Sequence, residues 1–316
     1  MSLVIYKRGP DGLVATKDPA ALGHAIWVDL LDPTEEEEKL VEAAFNIDAP
    51  TEIERAALEQ SARFYEENGA LVMTATLVMR HAERAKAAGV SFILVNNALV
   101  TVRTIEPTAF KVGQGRATAR IDKAEHGADV LLALLEAVIE RLADVLQETS
   151  TRAQTLSDTI FNTHGFSAPD MSPALTELSH LGSIVTLGRD SLGSLERLFT
   201  YAGTRCDAHG LSNERLKALL RDAEHLDRTG DAFQDHLTFL LDAVLGLVAA
   251  NQNVALQRLS VAAVVFVPAT LIASIFGMNF EAMTWFKEPW GPWVAFGAMI
   301  ACSAAVYAIS RWRKWA

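Results

Sequence analysis

Asn253, Ser260, Thr270 and Ser274 carry oxygen into a run that is otherwise almost pure hydrocarbon, and their spacing puts them on one side of a helix. Written in heptads, Asn253, Ser260, Val267 and Ser274 share one line, and Leu256, Ala263, Thr270 and Gly277 share the interleaved one. A seam at that spacing keeps facing a single axis when helices pack in a left-handed bundle. Amide and hydroxyl oxygens suit hard cations, which prefer oxygen and give up water reluctantly. The seam has two readings: close packing of helices through small residues, or the wall of a wet path for a hydrated cation. Polar groups at membrane depth face a partner or water, and Asn253, Thr270 and Ser274 favour the second.

The element that positions this seam is a membrane span. Between Arg258 and Glu281 there is no ionisable side chain, and about 20 residues at 1.5 Å each cross a hydrocarbon core of about 30 Å. The other faces carry Val264, Val265, Phe266, Leu271, Ile272 and Ile275, bulk that suits lipid or neighbouring helices. Pro268 sits mid-span, where it removes a donor, frees the Val264 carbonyl and predicts a kink. A second span runs from Trp290 to Ser310, with Trp285, Trp290 and Trp293 at one end and Trp312 and Trp315 at the other. Arg258 precedes the first span and Arg311, Arg313 and Lys314 follow the second. The positive-inside rule therefore puts both termini in the cytosol and the intervening loop outside. One chain supplies one seam, and one helix encloses no path, so a pore needs several copies around a closed axis.

The exit of the first span is the most specific stretch. Phe276-Gly277-Met278-Asn279-Phe280 closes one span shortly before a second, and the chain stops soon after. In that placement it resembles the CorA family of divalent-cation transporters. The likeness extends through Val267-Pro268, Phe280-Glu281, the basic tail from Arg311 to Trp315, and the segment from Trp27 to Thr34 near the start. The resemblance implies an α/β cytosolic head, a long helical stalk and two C-terminal transmembrane helices, in a funnel-shaped homopentamer of the inner membrane. The expected domains are 1–122 for the head, 123–252 for the stalk and 253–316 for the pore. The pore divides into a first span at about 256–276, an external loop at 277–289, a second span at 290–310 and a basic tail.

On this reading Gly277, Met278 and Asn279 form the ion-binding filter, where a ring of Asn279 carbonyls holds an ion through its water shell loosely enough to release it. Asn253, Leu256, Leu259, Ser260, Ala263, Val267, Thr270 and Ser274 line the pore, with Leu256, Leu259 and Val267 as apolar constrictions that block flow by dewetting. Glu281 and Glu288 concentrate cations at the mouth, opposed by Lys287. Family members also place paired acids between neighbouring soluble domains, where bound Mg²⁺ shuts the channel. Here Glu54, followed by Arg55, and Ala218 occupy those places, so feedback through that pair is not expected. Asp222, Asp227, Asp231 and Asp235 are substitute cytosolic cation sites, with a charged helix surface as the plainer meaning. The ion carried is Mg²⁺, with Co²⁺, Ni²⁺ or Zn²⁺ as further possibilities, and no bound cofactor is called for.

Composition narrows the field. A net charge of −11 and a pI near 5.2 speak against a nucleic-acid partner, which wants a basic patch. Cys206 and Cys302 make neither a disulfide framework nor a zinc cluster. Met1 to Gly12 lacks the pattern of a signal peptide. The eight histidines are scattered, no His-Glu-x-x-His or nucleophile elbow appears, and His225 beside Asp222 and Glu224 reads as surface pairing, so no enzyme is expected. A zinc-transporting ZntB-like branch shares the architecture, but the intact Gly-Met-Asn and a seam free of thiolate and imidazole favour Mg²⁺. A membrane-tethered coiled-coil scaffold would explain a long helix but not a polar seam.

Before the membrane, Leu3–Tyr6 and Ala25–Val28 read as strands. Asp32 is the expected cap of a helix with Pro33 in its first turn and Glu35 to Glu38 at its positive end. Asn68-Gly69 and Asn96-Asn97 predict tight hairpins, and Gly113-Gln114-Gly115 a turn. Helical periodicity covers about 128–161 and 173–201, with Gly165, Pro169 and Pro173 marking the break between them. A third helix begins near a capping Asn213 and meets no proline before Pro268, with Gly230 and Gly246 as points where it could bend.

Overall fold

The computed structural model describes residues 3–9, 12–56, 59–81, 84–107, 110, 121, 123–162, 171–278 and 290–313. Strands β1 (Leu3–Gly9), β2 (Gly12–Thr16) and β3 (Ala25–Leu31) lead to helices α1 (Glu35–Phe45), α2 (Glu52–Ala56) and α3 (Gln60–Arg63). Strands β4 (Phe64–Glu67), β5 (Ala70–His81), β6 (Arg84–Val95) and β7 (Ala98–Arg103) follow. The rest is helical: α4 (Gly127–Asn162), α5 (Ser172–Gly203), α6 (Cys206–His209), α7 (Asn213–Phe276) and α8 (Gly291–Trp312). Gly113, Gln114, Gly115, Gly165 and Pro169 lie outside the described residues.

The described strands form one sheet ordered β2-β1-β3-β7-β6-β5-β4, antiparallel except for the parallel β3/β7 pair. Both hairpins turn where expected. Asn68 and Gly69 take φ of 50° and 78°, and Asn96 and Asn97 take 49° and 67°. This is the left-handed conformation that two-residue hairpin turns require, and that asparagine and glycine adopt most readily.

Side-chain alternation sends two sets of residues to opposite faces of the sheet. Leu71, Met73, Ala75 and Leu77 of β5, with Phe92 and Leu99, join a core built with α4, α5 and the first turns of α7. Ala70 and Val72, with Ile93, Val100 and Val102, face a smaller core that includes Val41 and Phe45 of α1. The head is therefore an α/β layered structure, with both faces of the sheet covered.

Two caps differ from expectation. Helix α1 is capped by Thr34, whose hydroxyl accepts from the Glu37 amide while Glu37 accepts from the Thr34 amide. This reciprocal box satisfies two end groups at once and displaces Asp32 from the role. Asp32 instead takes a positive φ of 51° and donates its amide to the Arg103 carbonyl at the end of β7. The run Glu35 to Glu38 does occupy the first turn. At the start of α7 the cap is Ser212, whose hydroxyl accepts from the Arg215 amide, and Asn213 is already helical.

Parallel pairing of β3 with β7 brings together a buried polar group. Asp29 and Arg103 form a bidentate pair at 2.9 and 2.7 Å, Thr101 donates to Asp29 at 2.7 Å, and the Trp27 indole donates to Thr101 at 2.9 Å. Tyr6 stacks on Trp27 at 4.3 Å. The pair holds the segment from Trp27 onward against the end of β7.

The chain divides into two compact units. One holds the sheet with α1–α6 and α7 as far as Leu241; the other holds the chain from Asp242 through α8. Helix α7 is unbroken over its 64 residues, through both Gly230 and Gly246.

Candidate functional site

Both α7 and α8 contain stretches long and apolar enough to cross a membrane. In this second unit one stripe of α7 is half-buried: Val254, Val261, Val265, Pro268, Ala269, Ile272 and Phe276. On α8 the matching stripe is Gly291, Ala295, Met299, Cys302, Ser303, Val306 and Ser310. The Ser303 hydroxyl donates to the Val265 carbonyl at 3.2 Å, which fixes these stripes as the surfaces in contact. The α8 stripe is mostly small, so the helices approach closely, as membrane helices do when packing replaces the hydrophobic effect.

The seam residues lie elsewhere. Asn253, Leu256, Leu259, Ser260, Ala263, Val267, Thr270, Ser274 and Gly277 are all exposed. At 100° per residue they centre roughly 180° from the stripe that α8 covers. The chain's own second span leaves that face open along its whole length. Leu256, Leu259 and Val267 are 61%, 68% and 64% exposed, so the three bulky members of the seam have no cover among the described residues.

The Thr270 hydroxyl donates to the Phe266 carbonyl one turn earlier, at 2.9 Å. That spends its proton inside the helix and leaves oxygen lone pairs outward, the polarity that accepts a hydrogen bond from the water shell of a cation. Helix α7 ends with the Gly277 amide donating to the Ala273 carbonyl at 2.9 Å and the Met278 amide to Ile275 at 3.3 Å. Gly277 and Met278 are exposed. Asn279, Glu281, Lys287 and Glu288 lie outside the described residues, as do Trp285, Lys314 and Trp315. Trp290, Trp293 and Trp312 are exposed at the two ends of α8, with Arg311 and Arg313 beside the last. Aromatic and basic residues there match the two interfaces of a bilayer.

The four aspartates of α7 do not gather. Asp227 and Asp231 both grip Arg189 of α5, at 3.0 and 2.6 Å. Hydrogen bonding to Asp227 pushes the Arg189 guanidinium further up. Gly230 sits between the two acids, and a Cβ there would stand 2.9 Å from Arg189 Cγ, so glycine makes room for the arginine stem. Asp222 and Asp235 are exposed. Among the described residues no three His, Cys, Asp or Glu side chains cluster as metal ligands. Glu54 accepts from the amide and hydroxyl of Thr51, both at 2.8 Å, which holds its carboxyl below the usual range. Ala218 lines a hollow with Glu136, Glu140, Arg215 and Asp222, where Arg215 pairs with Glu136 at 2.8 Å.

A family model described as CorA-like Mg²⁺ transporter protein matches residues 23–310. The chain belongs to the CorA family. It is 32% identical to the magnesium transport protein CorA of Mannheimia succiniciproducens over 300 residues, 94% of this chain and 93% of that one. It is 30% identical to CorA of Escherichia coli over 295 residues, 93% of each. In fold it is similar to the complete CorA structure from Methanocaldococcus jannaschii, with a TM-score of 0.73 and 17% identity over 98% of each chain. The full-length CmaX protein is also similar, at a TM-score of 0.69 and 12% identity over 99% of this chain and 98% of that one.

Two features of this CorA-family chain escaped the sequence. Ser303 is one of several small residues in an apolar span, and only packing shows that it meets α7 near Pro268. Arg189 lies 38 residues from Asp227. The one available signal was the glycine between two acids on a helix.

Proposed function

We propose that several copies of this CorA-family chain assemble in the inner membrane, as a pentamer on the family resemblance, around the 253–277 seam and admit Mg²⁺ to the cell. The observation that carries this reading is the seam itself: oxygen-bearing and small residues on an apolar helix, exposed on the side away from the chain's own second span. A lone subunit would leave Ser260 and Ser274 facing lipid, which is costly; copies meeting at an axis place them on water. The positive-inside rule supports cytosolic termini and an outward Gly277-Met278-Asn279. The Asn279 amide oxygens bind a hydrated ion without charge, weakly enough for release. Membrane potential suffices as the driving force, since a divalent ion gains roughly 4.6 kcal/mol entering at −100 mV.

The approximately 30% identity to magnesium transport proteins favours Mg²⁺ over the ZntB-like zinc reading. The deciding experiment is uptake of Mg²⁺ and of Zn²⁺ into liposomes bearing the purified protein. Mg²⁺ uptake lost on Asn279→Ala supports the filter; uptake untouched by that change removes it. Faster Zn²⁺ uptake would move the chain to the other branch, and no ion passage at all would point to a scaffold.

A further inference from the structure

The connector between α5 and α7 is a single helical turn, α6, anchored in the main core by Cys206 and Leu211. Gly210 follows it at a φ of 67° and turns the chain toward the start of α7. Both ends of this connector reach one side chain on the edge strand. Glu66 of β4 stands with Oε1 3.2 Å from His209 Nε2 and with Oε2 3.6 Å from Arg205 Nε. The first contact is a hydrogen bond. The second is too long to be one, and among the described residues Arg205 Nε is the one buried side-chain nitrogen or oxygen without a hydrogen-bond partner. A buried donor left unmet is costly, and a small movement of the same carboxylate would satisfy it.

The two partners of Glu66 are held more firmly than Glu66 is. The His209 side chain is 10% exposed and that of Glu66 is 42%. The Arg205 guanidinium sits over the Tyr201 ring, 4.1 Å from its centre, and Tyr201 packs in turn on Phe64 of β4 at 5.5 Å. The carboxylate is therefore the group free to change places. Among the described residues Glu66 is the one carboxylate at ion-pair distance from His209. Asp207 on the same turn is exposed. Across a hollow of about 490 Å³ stand His126 and Asp129 at the start of α4, which pair with each other at 3.8 Å. From α7, Lys217 acts on the neighbouring Cys206.

We propose that Glu66, His209 and Arg205 form a proton-operated clasp that sets how firmly the root of α7 is held to the sheet. Histidine is the side chain that gains or loses charge between about pH 5 and pH 8. With the imidazole protonated, Glu66 makes a charge-assisted bond to it and holds the end of the connector next to α7. When the imidazole returns its proton to water, only a neutral hydrogen bond remains there. The carboxylate then moves to the charged Arg205 and meets its Nε, so the grip passes to the end of the connector next to α5. The pairing that holds His209 is fully present on the acid side of this range and is lost as pH rises through it. His126 keeps its own partner in Asp129 and takes no part.

The test is hydrogen–deuterium exchange of the full-length protein in detergent at the two ends of that pH range. It is read as protection factors for the amides of residues 206–212, so that the intrinsic pH dependence of exchange cancels. Protection roughly fivefold higher at the acid end, the worth of a part-exposed ion pair, is the expected result. His209→Gln should remove the difference and leave protection at the alkaline value. Glu66→Gln should also remove it and, at its more open position, is decisive if His209→Gln does not fold. His126→Gln should leave the difference intact. No difference between the two pH values in the unaltered chain, a difference that survives both His209→Gln and Glu66→Gln, or one removed by His126→Gln would overturn the proposal. Because protection is read without ion flux, the outcome is separate from that of the transport reading.

Discussion

The Ser303 hydroxyl on α8 donates to the main-chain carbonyl of Val265 on α7, 3.2 Å away, just ahead of the proline within that helix. Pro268 has no N–H to give the Val264 carbonyl, and the second span supplies a proton to the next carbonyl along. The hydroxyl therefore ties α8 to α7 at the turn from which Pro268 removes a hydrogen bond. Ser303→Ala should loosen this tie by about 0.6 kcal/mol, the usual worth of such a bond in a membrane. The change should appear as a lower melting temperature of the assembled protein and an altered resting flux. Ser303→Thr should restore both.

Substitution on the open seam should act on conduction without acting on folding. Val267→Ser replaces a bulky apolar group with one that holds water, and a dewetted constriction wetted in this way conducts at rest. Resting Mg²⁺ uptake into liposomes should rise, with the melting temperature nearly unchanged. A fall in uptake would place Val267 away from the path.

The Arg189 grip on Asp227 and Asp231 joins α5 to α7. These side chains are about a third exposed or more, so solvent screens them and the pair contributes at most about 1 kcal/mol. A double-mutant cycle of Arg189→Ala with Asp227→Ala should give a coupling within that bound. Gly230→Ala should disturb the same pair, since its Cβ meets the arginine stem.

Asp29 and Arg103 are 4% exposed each. Removing one partner leaves the other charged and buried, so Asp29→Ala should cost about 3–5 kcal/mol. Because Trp27 is bonded into the same group through Thr101, tryptophan fluorescence during urea unfolding would report the loss.

Burial pushes the Tyr65 phenol up to about 12, with Glu54, Asp48 and Glu67 adding to the shift. Unfolded, it titrates near 10, so between these values the folded state holds a proton that the unfolded state has released. Stability from this group is intact below pH 10 and is lost as pH rises toward 12. Unfolding followed against pH should show a decline that is shallower in Tyr65→Phe.

Features set by neighbouring residues were legible in the sequence. The turns at Asn68-Gly69 and Asn96-Asn97 follow from a local backbone demand, and the seam follows from spacing alone. Features set by distant residues were not. Asp29 and Arg103 meet only because β3 pairs in parallel with β7, and nothing local marks either as buried. Asp32 failed as a cap because Glu37 lets Thr34 close both bonds, a reciprocity stronger than Asp32's nominal preference. In the first span apolar residues occupy every side, so periodicity isolates the polar line but not the line that touches α8.

The separation of those two lines on α7 bears on inheritance in mixed populations of subunits. On the proposed assembly a change at Ala263 or Ser274 faces the path that all copies share, so one altered allele could poison assemblies that also contain normal chains. A change at Val261 or Ala269 is confined to the hairpin that bears it, and dilution with normal subunits should rescue it in proportion.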